Sequence, residues 1–364
     1  MKQIYRILPV ILIMLGIFAS LHYLVYMVTT RSVAGSHFSN FFGLLLTFFL
    51  ISIPLGFIGT RLQSRIMKAF TWIGYTWMGV FTILFFLCLL EMLISFALPH
   101  DHSYWVLPVT LLISIYSLMN GLAFPEVNTH HIPHEKLRGL SLVQISDVHV
   151  GMLHLNQKWF ERVIAKVREL KPHVFVITGD LIEGYPDEIA PQLEILKGLN
   201  EIKHKFFITG NHEYIHGGEI WEKRLAEMGF QVLHNSNELV EFNGGKLLVA
   251  GVPDRMIRRF TGESFSRPDE ALKTPHEVDF KILLAHQPAS VNDLRNETCD
   301  LILTGHTHGG QIFPFHVFVR GAQPVVKGFK TVKKIKVFAH QGTGLWGPPM
   351  RWFSRNEIVV FNWK

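Results

Sequence analysis

The stretch Leu142-Val143-Gln144-Ile145-Ser146-Asp147-Val148-His149 is an apolar run that ends in an acid and an imidazole two residues apart. Val and Ile around one polar residue have strand composition, and in a continuing strand residues two apart share a side. The same arrangement recurs downstream. Residues 174–178 lead into Gly179-Asp180, 206–209 into Gly210-Asn211-His212-Glu213, 282–285 into His286, and 301–304 into Gly305-His306-Thr307-His308. Between these runs, 156–170, 186–199 and 218–228 carry apolar residues at helical spacing. In the first of them Phe160, Val163, Ile164 and Val167 form the stripe and Asn156 is the expected cap. Shorter runs at 231–234, 238–242, 246–251, 335–339 and 357–361 read as further strands, and 256–277 reads as irregular. The fold class this implies is an α/β domain of two packed mixed β-sheets flanked by helices. Polar residues delivered at strand carboxyl ends then collect on one rim, the usual ligand edge.

What the rim would hold is chemically specific. Asp147, His149, Asp180, Asn211, His286, His306 and His308 offer carboxylate, amide and imidazole donors and no thiolate, a set that suits two Mn, Fe or Zn ions. Taken singly, each is weak: an Asp at a strand end is commonly a turn residue, and residues 125–364 contain 16 histidines. Their joint order and strand-end context carry the reading. His173, His204, His216 and His234 receive no role. Two adjacent divalent ions bind a phosphoryl group and make the nucleophile that attacks it. No Walker-type glycine loop is present, which argues against kinase or nucleotide-switch chemistry.

Taken together, Gln144–His149, Gly179-Asp180-Leu181, Gly210-Asn211-His212-Glu213, His286 and Gly305-His306-Thr307-His308-Gly309-Gly310-Gln311 resemble the calcineurin-like metallophosphoesterases, in particular their bacterial membrane-associated branch. The glycine-rich stretch 342–348 is similar to a tail of that branch, and the resemblance covers roughly 125–364. It implies that Asp147, His149, Asp180 and His308 hold one metal and Asp180, Asn211, His286 and His306 the other, Asp180 bridging. Manganese is the favoured ion. His212 would contact the phosphate and assist the leaving oxygen, so that His212 and Asp180 are the catalytic pair, with Glu213 holding position behind. Glu213 is a mild variation, since Asp often stands there in the family. Related members cleave a pyrophosphate in a lipid A precursor, which makes a lipid-linked substrate one expectation.

Outward from the domain the composition changes. Of 364 residues 48% are hydrophobic, and the excess lies in 1–124, with apolar runs near 8–29, 40–60, 71–97 and 104–124. Each is long enough to span a bilayer. The expected organisation is a four-span transmembrane region at 1–124, a Pro- and His-containing linker and lead-in at 125–140, and the catalytic domain at 141–364. Glu91 inside the third run is either a partnered acid or a functional one. Lys2, Arg6, Arg61, Arg65, Lys68, Lys136 and Arg138 flank one side, whereas the other two loops carry Arg31 and Asp101. The positive-inside rule then puts both termini and the domain in the cytoplasm, at a bacterial inner (plasma) membrane. Six Lys/Arg and two Asp/Glu fall in 1–124, leaving 29 and 27 of the totals of 35 and 29 for the rest. That near-balance gives no basic stripe for nucleic acid. The Cys88 and Cys299 thiols suggest no disulfide framework.

Two segments after the last ligand mix aromatic and basic residues, 312–330 and 345–353. Phe315, Arg320, Lys327, Trp346, Arg351 and Trp352 are the expected membrane or substrate contacts. The function expected is hydrolysis of a phosphate ester or pyrophosphate in a lipid-linked substrate. The alternatives are a general phosphodiesterase that is merely anchored, and a non-catalytic membrane sensor or scaffold that retains the metal fold.

Overall fold

Four long apolar helices come first in the computed structural model, which describes every residue except 1, 60–63, 99–102 and 263–264 and leaves out the side chains of 2–8, 10–11 and 260–261. Arg61 and Asp101 of the orientation argument thus lie outside the described residues, as do the side chains of Lys2 and Arg6. The helices are α1 (Lys2–Thr29), α2 (His37–Gly59), α3 (Arg65–Ala97) and α4 (Val106–Leu122), each belonging to a segment apolar and long enough to cross a membrane. The chain is therefore a multi-pass membrane protein. It divides into two compact units, one of Met1–Met119 with Gly347–Met350 and the other of Asn120–Trp346 with Arg351–Lys364.

Inside the first unit, α2 and α3 pack closely. A side chain at Gly74 would strike the Ser52 carbonyl, so glycine lets the two backbones approach. Glu91 proves to be partnered. It is fully buried and accepts from Arg31 Nη2 (3.1 Å), Ser95 Oγ (2.7 Å) and Trp105 Nε1 (2.8 Å). One carboxylate thereby ties the end of α1, the last part of α3 and the start of α4.

The second unit holds twelve strands among the described residues: β1 (Glu126–Ile132), β2 (Ser141–Ile145), β3 (Val174–Thr178), β4 (His204–Ile208), β5 (Gln231–Val232), β6 (Ser236–Phe242), β7 (Gly245–Gly251), β8 (Phe280–Leu284), β9 (Leu301–Thr304), β10 (Gly328–Val332), β11 (Ile335–Ala339) and β12 (Glu357–Trp363). Its helices are α5 (Gln157–Glu169), α6 (Pro186–Ile189), α7 (Asn211–Ile215), α8 (Glu219–Glu227), α9 (Ile257–Thr261), α10 (Pro268–Ala271) and α11 (Phe315–Ala322). The strands form two six-stranded mixed sheets, ordered β1-β12-β2-β3-β4-β5 and β10-β11-β9-β8-β7-β6. β2 through β5 run parallel in the first, and β7, β8, β9 and β11 run parallel in the second.

Period-two alternation decides which face is inside. Val174 and Val176 of β3, Phe206 and Ile208 of β4, Ile282 and Leu284 of β8, and Leu301 and Leu303 of β9 meet in one core between the sheets. The alternate residues Leu283, Ile302 and Val337 turn to the other face, onto Leu272, Val291 and Leu294. On the first sheet α5 supplies cover. Asn156 accepts from the Trp159 N–H (3.2 Å), and the stripe Phe160, Val163, Ile164 and Val167 is buried.

Three readings need correction. The stretch 125–140, read as linker, contains β1, which pairs in parallel with β12 along its whole length. The helix read at 186–199 is a short α6 followed by 3-10 turns at Ala190–Gly198. Pro191 lacks the N–H an α-helix needs there. The segment 256–277, read as irregular, holds α9 and α10.

Candidate metal centre

All the parallel strands that carry the polar motifs deliver them at their carboxyl ends, and the two sheets present those ends together. Asp147 and His149 follow β2, Asp180 follows β3, Asn211 and His212 open α7 just after β4, His286 follows β8, and His306 and His308 follow β9. Strong local bends place them. Asp147, His149, Asp180, His306 and His308 all have positive φ, between 49° and 67°. This left-handed region costs a residue with a Cβ on the order of 1 kcal/mol or more, so the surroundings must hold it. They do so by backbone bonds between loops: Asp147 N to Gly179 O (3.0 Å), His149 N to Asp180 O (3.1 Å), Gly305 N to His286 O (2.8 Å) and Gly344 N to Asp147 O (3.0 Å). Gly179 has φ +88°, and a Cβ there would sit 2.6 Å from both Gly210 N and His286 Nδ1. Only glycine lets three loops meet at that point.

Hydrogen bonds set the imidazole orientations. The Thr178 carbonyl accepts from His286 Nδ1 (2.8 Å), which leaves His286 Nε2 as the nitrogen that faces the rim. That nitrogen stands 3.2 Å from Asp180 Oδ2. Glu183 Oε2 holds His149 Nδ1 (3.0 Å), which turns His149 Nε2 toward His308 Nε2 (3.3 Å) and Asp180 Oδ2 (4.0 Å). His308 Nε2 is in turn 3.5 Å from Asp147 Oδ1. Two groups of convergent donors result, Asp147 with His149 and His308, and Asp180 with His286 and His306. The amide oxygen of Asn211 is buried beside them with no hydrogen-bond partner. Facing lone pairs and an orphaned buried amide oxygen are what a cation site requires of its donors. The residues present therefore fit a pair of divalent cations, as the two donor groups and the fold indicate.

The supporting shell is built from carboxylates. Glu213 is fully buried and accepts backbone N–H bonds from Gly210 (2.6 Å), Asp180 (2.9 Å) and Leu181 (2.8 Å), binding the loop after β3 to that after β4. Asp180 Oδ1 accepts from the His212 N–H (2.9 Å). Burial opposes ionisation of Asp180, but the charges of His286 and His212 outweigh it and hold the carboxyl well below its usual range. Burial likewise works against protonation of His212, yet Asp180 and Glu183 raise it to about 9.

Glu183 and His216 were not among the expected residues. Glu183 is the hub of a third group: its carboxylate faces His149, His212 Nδ1 at 2.8 Å and His216 Nε2 at 3.4 Å. The available sequence signal was an acid three residues after Asp180, on the loop leaving the same strand.

The six expected contact residues separate. Phe315, Arg320, Lys327 and Trp346 are exposed and Trp352 is half-buried. Trp346 stands edge-on to His212, ring centroids 5.8 Å apart, with its backbone bonded to Gln311. Arg351 is a correction. It is fully buried and donates to His308 O (3.1 Å) and Gly344 O (2.6 Å), fastening the His308 loop from behind. A guanidinium there satisfies carbonyls that no water reaches, and it contacts neither solvent nor lipid.

Comparison with known proteins agrees with this geometry. The calcineurin-like phosphoesterase family matches residues 140–310. An uncharacterized metallophosphoesterase of Campylobacter jejuni is 33% identical over 253 residues, 68% of this chain and 66% of that protein. A transmembrane protein with metallophosphoesterase domain of Danio rerio is 34% identical over 264 residues, 69% of this chain and 60% of that one. An uncharacterized metallophosphoesterase of Aquifex aeolicus is 32% identical over 257 residues, 69% of this chain and 96% of its own length. The match thus takes in slightly less than two thirds of the first two relatives.

Proposed function

This chain belongs to the calcineurin-like phosphoesterases, a metal-dependent hydrolase carried by a membrane protein, and we propose that it cleaves a phosphate ester or pyrophosphate bond in a lipid-linked substrate. The observation that carries the substrate class is the meeting, in one chain, of four membrane-length helices with exposed aromatic and basic side chains next to the His308 loop. A soluble substrate needs neither.

In this reading Asp147, His149, Asp180 and His308 would hold one cation and Asp180, Asn211, His286 and His306 the other, with manganese favoured. Bound divalent ions supply Lewis acidity toward a phosphoryl group and a nucleophile at neutral pH. The chain's own residues do the rest. Asp180, set between His149 and His286, would be the carboxylate common to both. His212, held against Glu183 and raised toward its protonated form, donates a proton or hydrogen bond to the leaving oxygen. Glu213 keeps the two loops at fixed spacing. Trp346 covers the His212 side of the rim and limits water there. The basic flanks of the spans support a cytoplasmic domain at a bacterial inner membrane.

The test is metal-dependent phosphate release by the full-length protein in mixed micelles, across soluble phosphodiesters, phospholipids and nucleotide-diphospho-lipids, with Asp180→Asn as the inactive control. Preference for the lipid esters supports the proposal. Equal turnover of soluble and lipid esters sinks the lipid reading and leaves an anchored general phosphodiesterase. Loss of every activity with metal retained would favour a scaffold. His212→Ala should keep its metal and lose roughly 10²–10⁴ in turnover; wholesale loss of metal would refute the role given to His212.

A further inference from the structure

Between Asp300 and Glu357 the chain has eight Lys/Arg and no carboxylate. Arg351 is buried, but Arg320, Lys327 and Lys330 are exposed. They surround an apolar surface of unusual form. α11 has no buried residue, and Phe315, Val317 and Phe318 are 46%, 55% and 61% exposed. Beside it Phe313 contacts Trp352 and Phe353, ring centroids 5.2 and 5.7 Å apart, and Phe353 is itself 64% exposed. Gly309 and Gly310, the two residues after the ligand-type His308, line a cleft of about 260 Å³ together with Phe313, Arg320, Lys327 and Trp352. The patch therefore begins at the metal rim itself.

A helix that buries none of its apolar side chains and exposes most of them is stable in water only at a cost, and that cost disappears in an apolar phase. Aromatic rings with lysine and arginine around them match the bilayer interface, rings at headgroup depth and cations among lipid phosphates. A stretch devoid of acids removes the repulsion an anionic surface would otherwise exert.

We propose that α11, with the aromatic and basic side chains around it, inserts into the interface of an anionic bilayer and seats the rim of the metal centre at headgroup level. This rests on the membrane-anchored reading above, but it concerns depth rather than turnover, so it stands or falls separately from the lipid-substrate proposal. The occupant is the lipid surface; a nucleic acid or a second copy of the chain is an outcome of the test.

The test uses the full-length protein in nanodiscs containing phosphatidylglycerol. Val317→Cys is labelled with a bimane fluorophore, and lipids with brominated acyl chains serve as quencher. Glu169→Cys, exposed at the far end of α5, is the reference site. Wild-type protein carried through labelling gives the background from the buried Cys88 and Cys299. Expected is severalfold stronger quenching at 317 than at 169, weakening at high salt and in zwitterionic discs. Phe315→Cys repeats the measurement if the first variant is poorly folded. Equal quenching at both sites overturns the proposal. So does a blue-shifted but unquenched label at 317, which would mean contact with another copy, or a shift only on adding RNA.

Discussion

Glu183 faces three imidazoles with one carboxylate, and burial would raise its pKa were those rings not holding it well below the usual range. Glu183→Gln keeps the shape and removes the charge. His149 then faces a neutral amide in place of a carboxylate, and His212 loses one of its counter-charges. Partners of this kind are worth about 10–100-fold in metal affinity or activity. The expected result is such a fall in metal content, in kcat, or in both; unchanged values would show that the three contacts are incidental. The six residues that the structure gathers into two donor groups were legible because each follows an apolar strand, and strand ends converge in this kind of sheet. Glu183 and His216 were not, because their role depends on how a loop returns across the rim. Arg351 was misread for a related reason: an arginine among tryptophans looks like surface until the 342–356 segment is seen to close over His308. His154 offers a test of burial. Desolvation lowers its pKa to about 4 from 6.5. The unfolded chain therefore takes up this proton first as pH falls, and stability drains away from about pH 6.5 down to about 4, with no further loss below. His154→Gln should melt progressively higher relative to wild type as pH drops through that window, and a constant offset would rule this out.

At the scale of elements, the strands that were easy to read are those buried on both faces, such as β3 and β9, every residue of which is buried. β1 and β10 escaped because edge strands bury little: their patterns are mostly exposed or half-buried, and partner strands rather than composition decide their pairing. α11 escaped because its apolar side faces out, so periodicity pointed to no core. Among the membrane helices α3 carries the most informative side chain. Glu91→Ala leaves the Arg31 guanidinium and the Trp105 N–H without their shared acceptor. Breaking a fully buried pair costs about 3–5 kcal/mol; with Arg31 42% exposed, about 1–3 kcal/mol is expected instead. Thermal unfolding in detergent, in a cycle with Arg31→Ala, measures it, and the double variant should cost less than the sum. If Glu91→Gln abolished turnover without moving the melt, the acid would be functional and the structural reading wrong.

For the molecule as a whole the open matter is where the catalytic unit begins. The motifs place it at 141, but the contacts place it at Asn120. Asn356 Nδ2 donates to Gly121 O (2.9 Å) and Ala123 O (3.0 Å), and Glu126 is ion-paired with Arg355. β1 then covers the edge of β12, and Ile132, Leu137 and Leu140 enter the core between the sheets. Three buried side chains at about 2 kcal/mol each give about 6 kcal/mol, comparable with the lower end of the roughly 5–15 kcal/mol that holds a domain together. A fragment 141–364 also exposes β12, whose buried residues make an aggregation-prone edge. The prediction is that 120–364 folds, binds two divalent ions and hydrolyses a soluble phosphodiester, whereas 141–364 melts far lower or precipitates. Equal melting temperatures would make β1 dispensable and return the boundary to 141. A stable 120–364 fragment also separates the two roles of the membrane half. If it matches the full-length protein on soluble esters but lags on lipid-linked ones, the spans deliver substrate, and the rim they serve is complete without them.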